Sequence, residues 1–219
     1  RDVRKTLQGY VVEADLHEDV FDRLEDRQRT LEGRSGCGLC GVQSLDAVSM
    51  DKIGTVTPGN MAQDIVLRAI DALPDHQTRN REGGGLLHAS AFVDVSGNIQ
   101  LVREDIGRHN ALDKVLGAVA RQGIDTTGGF ILMTSRCSYE IVTKTVQCGV
   151  GGLVTLSGPT LTAVNLARQA GLTLIGRARG HRFIALSGDE RIVYDADPTS
   201  VPEESRKARR KASVDETAA

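Results

Sequence analysis

From Leu86 to Leu186 short apolar runs alternate with helix-patterned segments, and this alternation limits the fold more than any other feature of the chain. Leu86–Val95 and Ile99–Arg103 read as two strands, joined through Ser96-Gly97-Asn98 as a hairpin. Asn110–Arg121 carries Leu112, Val115, Leu116 and Val119 at helical spacing, with Asn110 placed to cap. Phe130–Met133 is a short apolar strand, and Ser138 opens a helix running to Cys148. Leu153–Leu156 is a strand, Thr160–Ala170 a helix closed by Gly171, and Leu172–Ile175 a strand again. Arg177–Arg182 reads as a basic turn before a last strand, Phe183–Leu186. Strands and helices in this order predict an α/β fold with a mixed, mostly parallel sheet covered by helices on both faces. Ligands of such sheets bind beyond the carboxyl ends of the strands. Here those ends are Glu104–His109, Thr134–Ser138, Ser157–Thr160 and Gly176–Arg182.

The flanks are less regular. Gly9–Asp15 reads as a strand and Glu18–Arg29 as a charged helix. Asn60 with Gln63 predicts a helix start, and Pro74 a stop after Leu73. Asp75–Gly85 is polar and glycine-rich, the pattern of a mobile loop. Residues 1–194 are expected to form one domain and 195–219 a disordered charged tail. The tail holds the basic run 206–211, yet the formal net charge is −2 and aromatics make up only 3%, which argues against nucleic acid as partner. No apolar run approaches the roughly 18–20 residues of a membrane span.

Four cysteines are present, at 37, 40, 137 and 148. One CxxC in a chain of 219 residues fits a reduced, cytoplasmic setting better than a disulfide scaffold. The pair Cys37 and Cys40 is flanked by Gly36, Gly38 and Gly41. Such a pair can form a disulfide, hold half of a zinc site or carry sulfur. Zinc wants a second pair of ligands; Cys137 and Cys148 fall at opposite ends of one predicted helix and do not supply it. Thioredoxin-type pairs open a helix directly after a strand, whereas this one follows a helix and a charged loop. A glycine-rich arm suits a thiol that moves between two sites.

Two further clusters sit at predicted strand ends. Arg108 and His109 open a helix, where backbone N–H groups attract anions. Gly176-Arg177-Ala178-Arg179-Gly180-His181-Arg182 packs three arginines and a histidine into seven positions, a pattern of a phosphate site and equally of a solvated basic turn. Ser138 with His109 hints at a hydrolase, but no GxSxG elbow accompanies them.

Ser35–Gly41, Gly85–Ala89, Arg103–Lys114, Thr134–Glu140 and Gly171–Gly176 together resemble the FdhD family, sulfur carriers needed for active formate dehydrogenase. The run EDIGRHNALDK is the most specific match, and the resemblance spans about residues 9–186. It omits the family's amino-terminal portion, and the chain lacks an initiator Met, so a fragment is expected. The resemblance implies a three-layer α/β/α, cytidine-deaminase-like fold without the deaminase zinc, and a cytoplasmic homodimer. It implies a sulfurtransferase in which a cysteine desulfurase loads a persulfide on Cys37, with Cys40 as its partner. The sulfur would pass to the molybdenum or tungsten of bis-molybdopterin guanine dinucleotide, destined for formate dehydrogenase. Gly176–Arg182 matches the segment assigned to that dinucleotide, so GDP is expected to mimic it. A cofactor-delivery chaperone that moves no sulfur is the alternative. The chain departs from the family at Arg177, where an aromatic residue is usual, at Cys137, where an apolar one is, and at Gly158, often Ala.

Overall fold

A computed structural model describes residues 2–6, 9–13, 15–18, 53–179 and 182–194. The chain divides into two compact units, Arg1–Ser49 and Met50–Ala219. In the first, β1 (Asp2–Thr6) and β2 (Gly9–Glu13) form an antiparallel pair. Of the expected helix at 18–29 only Glu18 is described, as helical, and residues 19–29 and the tail from 195 lie outside the described residues.

The second unit is built on a six-stranded sheet. Its strands are β4 (His88–Val93), β5 (Ile99–Asp105), β6 (Phe130–Met133), β7 (Gly152–Thr155), β8 (Thr173–Arg179) and β9 (Arg182–Ser187), in the order β5-β4-β6-β7-β8-β9. The three central strands β6, β7 and β8 are parallel, and β5, β4 and β9 run antiparallel to their neighbours. The parallel connections use α4 (Tyr139–Gln147) and α5 (Leu161–Ala170), and α3 (Arg108–Gln122) links β5 to β6. On the other face lies α1 (Gln63–His76). Beside it pair the short strands β3 (Met61–Ala62) and β10 (Ile192–Val193).

Successive side chains on a strand point to opposite faces, and this divides the core in two. Phe92, Ile131, Met133, Leu153 and Leu174 pack with α3, α4 and α5, through residues such as Leu112, Ile141 and Leu166. Val93, Phe130, Leu132, Val154 and Ile175 pack with Val66, Ile70 and Leu73 of α1. The central strands are buried on both faces, which is why they read as unbroken apolar runs. No helix among the described residues is long and apolar enough to cross a membrane.

Several local expectations are corrected. Asn60 is not the cap of α1: Met61–Ala62 is a strand, and Ala62 precedes the helix. Pro74 lies inside α1, in its last turn, so the helix forgoes one N–H there and ends at His76. Asp75–Gly85 is not a loop, because it holds the end of α1 and a further helix, α2 (Thr78–Glu82). Glu104 accepts hydrogen bonds from the backbone N–H groups of Arg79 and Asn80, each at 2.9 Å, satisfying donors that a helix start leaves open. Asn110 does not cap α3; Gly107 holds that position, and Asn110 donates to Asp105 instead. The basic turn is a hairpin, since β8 extends to Arg179 and β9 resumes at Arg182. Thr160 caps α5 as expected, accepting from Ala163 N–H at 3.2 Å, and Gly171 ends that helix at a φ of 72°.

Candidate functional site

Because β6, β7 and β8 run the same way, their carboxyl ends open on one side of the sheet. β4 runs opposite, so its first residue, His88, lies on that side too, and His88 pairs with Asp105 at the end of β5. The four segments expected at strand ends therefore converge. Beyond the regular pairing, Cys137 bridges Pro159, Thr160 N–H donates to Cys137 C=O at 3.0 Å, and Arg177 N–H donates to Ser157 C=O at 3.2 Å.

Asp105 organises the first of these segments. Its carboxylate accepts from Gly107 N–H at 2.8 Å, from Asn110 Nδ2 at 3.2 Å and from Lys114 Nζ. Burial works against its ionised form, but the hydrogen bonds from Lys114, Gly107 and Asn110, with the Lys114 charge, hold its pKa below the ordinary value. The turn so fixed sets Arg108 and His109 as the first residues of α3. His109 Nε2 lies 3.3 Å from Ser138 Oγ and 3.4 Å from Glu140 Oε2, at the start of α4. Burial is the largest influence on this imidazole and lowers its pKa. The neighbouring Glu140 and Asp113 raise it and Arg108 and Lys144 lower it, and the net shift is downward. His88 is lowered as well, by burial and then by the Arg108 charge. Both rings are therefore biased toward the neutral form.

The second basic segment is the β8–β9 hairpin. Arg177, Arg179 and Arg182 are exposed, while Gly176 and Ala178 between them are buried. A Cβ at Gly176 would meet Leu186 Cδ1 at 2.8 Å and Pro159 Cδ at 3.0 Å, so this position is a packing contact. Arg177 sits at a φ of +53°, where a side chain is strained, next to a register shift in the hairpin. Its Cγ lies 3.9 Å from where a Cβ on Gly158 would stand, so the two departures from the family pattern are neighbours. Arg136, exposed on the loop after β6, adds a cation at the same end; only its place after a strand marks it in the sequence. Gly180 and His181 lie outside the described residues, as do Cys37 and Cys40.

Cys137 is sealed in the core, and burial pushes its thiol up to about 12, so it stays protonated and packs as a small apolar residue. Cys148 is exposed at the far end of α4. Among the described residues no three His, Cys, Asp or Glu side chains gather as metal ligands. The carboxyl end can thus offer guanidinium groups and two imidazoles to an anion.

Residues 2–193 match the model of the FdhD/NarQ family. Over 192 residues the chain is 42% identical to the sulfur carrier protein FdhD of Xanthomonas euvesicatoria pv. vesicatoria, covering 87% of this chain and 67% of that protein. The protein of the same name from Cupriavidus necator is 40% identical over 188 residues, 86% of this chain and 65% of the relative. The chain thus spans about two thirds of these relatives' length. A crystal structure from Desulfotalea psychrophila, described as a formate dehydrogenase accessory protein, shares the fold with a TM-score of 0.60. It is 22% identical, over 66% of this chain and 61% of the other.

Proposed function

Because the chain belongs to the FdhD/NarQ family, we propose that it is a sulfurtransferase that loads a persulfide on Cys37 from a cysteine desulfurase. It delivers that sulfur to the molybdenum or tungsten of bis-molybdopterin guanine dinucleotide, the substrate, on its way to formate dehydrogenase. It works in the cytoplasm as a homodimer. In the loading step the Cys37 thiolate attacks the outer sulfur of the donor's persulfide, a new S–S bond forms, and the donor leaves as a thiolate. Electrons balance in loading without an outside oxidant; on delivery the sulfane sulfur takes up two electrons to become sulfide, and Cys37 and Cys40 supply them by closing a disulfide that a thiol reductant reopens. Cys40 is the second thiol of the arm, and Arg34, three positions before Cys37, favours the thiolate.

The observation that carries the reading, besides the family, is the convergence of Arg108, Arg177, Arg179 and Arg182 on the carboxyl end of the sheet, away from the packed amino end. A guanine dinucleotide carries phosphates, which arginines bind as forked donors. That the relatives are sulfur carrier proteins by name supports the transfer of sulfur. Intact-mass spectrometry after incubation with a desulfurase and cysteine tests the loading step. Wild type is expected to gain about 32 Da, one sulfur atom, and Cys37→Ala to gain none. A Cys37→Ala variant that loads equally and still activates formate dehydrogenase overturns the proposal. One that loads nothing yet activates fully marks a delivery chaperone.

A further inference from the structure

β5 is an outer strand of the six-stranded sheet: β4 pairs with one side of it, and no described strand pairs with the other. Burial agrees with this. β4 is buried at five of its six positions, β5 at one of its seven. The open edge floors a groove of about 870 Å³ between α2 on one face of the sheet and α3 on the other. Gly117 and Ala118 line the α3 wall, and a Cβ at Gly117 would meet nothing within 4 Å, so the wall stands back from the strand.

The groove is electrostatically one-sided. Arg79, Arg103 and Arg121 line it from α2, β5 and α3, and among the described residues none has a carboxylate within ion-pair distance. The one acid in the lining, Glu104, is already engaged by the backbone N–H groups of Arg79 and Asn80. Lys114 is neutralised by Asp105. Three guanidinium groups on three elements therefore face a shared space beside a strand edge that no described strand pairs, where Arg103 Nη1 donates to Val102 C=O at 2.8 Å and Lys114 Nζ to Glu104 C=O at 3.1 Å.

We propose that this edge is a strand-addition site for an extended, acidic segment of a partner protein. The incoming main chain pairs with the edge N–H and C=O groups, displacing Arg103 Nη1 from Val102 C=O and Lys114 Nζ from Glu104 C=O, and the arginines, the released Arg103 among them, take its carboxylates. A free phosphate would use the arginines and leave the strand edge unpaired. A second copy of β5 would bring three more arginines into the same groove, against like-charge repulsion. The inference rests on the strand edge and its arginines and is independent of the sulfur reading.

Fluorescence anisotropy on the full chain tests it, with a labelled peptide of about eight alternating Glu and Val residues as probe. Saturable binding is expected, at least about tenfold weaker for Arg103→Glu/Arg121→Glu and for the Arg121→Glu single variant, which changes only an exposed helix position. The same peptide N-methylated at alternate residues, and a Lys/Val peptide, are expected not to bind. Absence of binding by the Glu/Val peptide overturns the proposal, as does binding indifferent to N-methylation or to Arg121→Glu. A change of oligomeric state on Arg103→Glu/Arg121→Glu in sedimentation velocity also overturns it, assigning the edge to a second copy. Persulfide loading of Cys37 is expected to be unchanged in these variants, so this test and that of the sulfur reading fail separately.

Discussion

At the amino ends of β6, β7 and β8 the backbone is packed to contact, whereas at their carboxyl ends it is strained and charged. A Cβ at Gly129 would fall 2.7 Å from both Phe92 Cζ and Val93 C=O, and one at Gly151 would fall 2.6 Å from Pro58 Cα. Arg191 ties this end together, donating to Thr173 Oγ1 at 2.9 Å and to Gly171 C=O at 3.3 Å. At the other end, beyond the packed Gly176, stand Arg177 at positive φ, exposed Arg179 and Arg182, and the half-buried His109 beside Glu140. One end contributes stability; the other gives some up to hold cations and imidazoles where a ligand can reach them.

Four variants break or sharpen that contrast. Gly129→Ala is expected to destabilise by about 3 kcal/mol, since a methyl cannot fit against backbone without a shift. Urea denaturation measures it, with binding at the carboxyl end unchanged in the folded fraction. Arg191→Ala strands the buried Thr173 hydroxyl and should cost about 2 kcal/mol in the same assay. Arg177→Gly should do the reverse, stabilising by about 1 kcal/mol by relieving the left-handed backbone while weakening nucleotide binding. A destabilised Arg177→Gly would remove the argument that strain is held at this end. The smallest effect is the pH dependence of His109. Its folded pKa is below the unfolded value of about 6.5, so the stability it permits is full above that value and is lost as pH falls through the window beneath it. His109→Gln should lose less stability than wild type between about pH 7.5 and 5. An identical slope for both proteins would mean that the ring is not held neutral.

The middle of the molecule was legible in the sequence because each element there announces itself locally. Phe130–Met133 is four apolar residues behind a glycine pair, and Thr160 with Gly171 brackets a helix with its own caps. What escaped was held from a distance. α2 lies in a stretch that reads as loop, and a carboxylate on β5 fixes its start. β3 and β10 are two residues each and exist only because they pair with each other across the whole unit. The candidate site was legible to the extent that parallel strands bring their ends together. That Gly176 and Ala178 face the core while their arginine neighbours face outward depends on the hairpin's register shift, which no local pattern carries. The sealing of Cys137 likewise depends on the bridge to Pro159 and on its place in the core cluster between sheet and helices.

Titration with GDP, as the guanine end of the substrate, on wild type, Arg179→Ala and Arg191→Ala tests the contrast between the two ends most directly. Saturable binding by wild type, at least about tenfold weaker for Arg179→Ala and unchanged for folded Arg191→Ala, is the predicted result. Equal affinity in Arg179→Ala and wild type, or loss of binding in folded Arg191→Ala alone, would contradict the account.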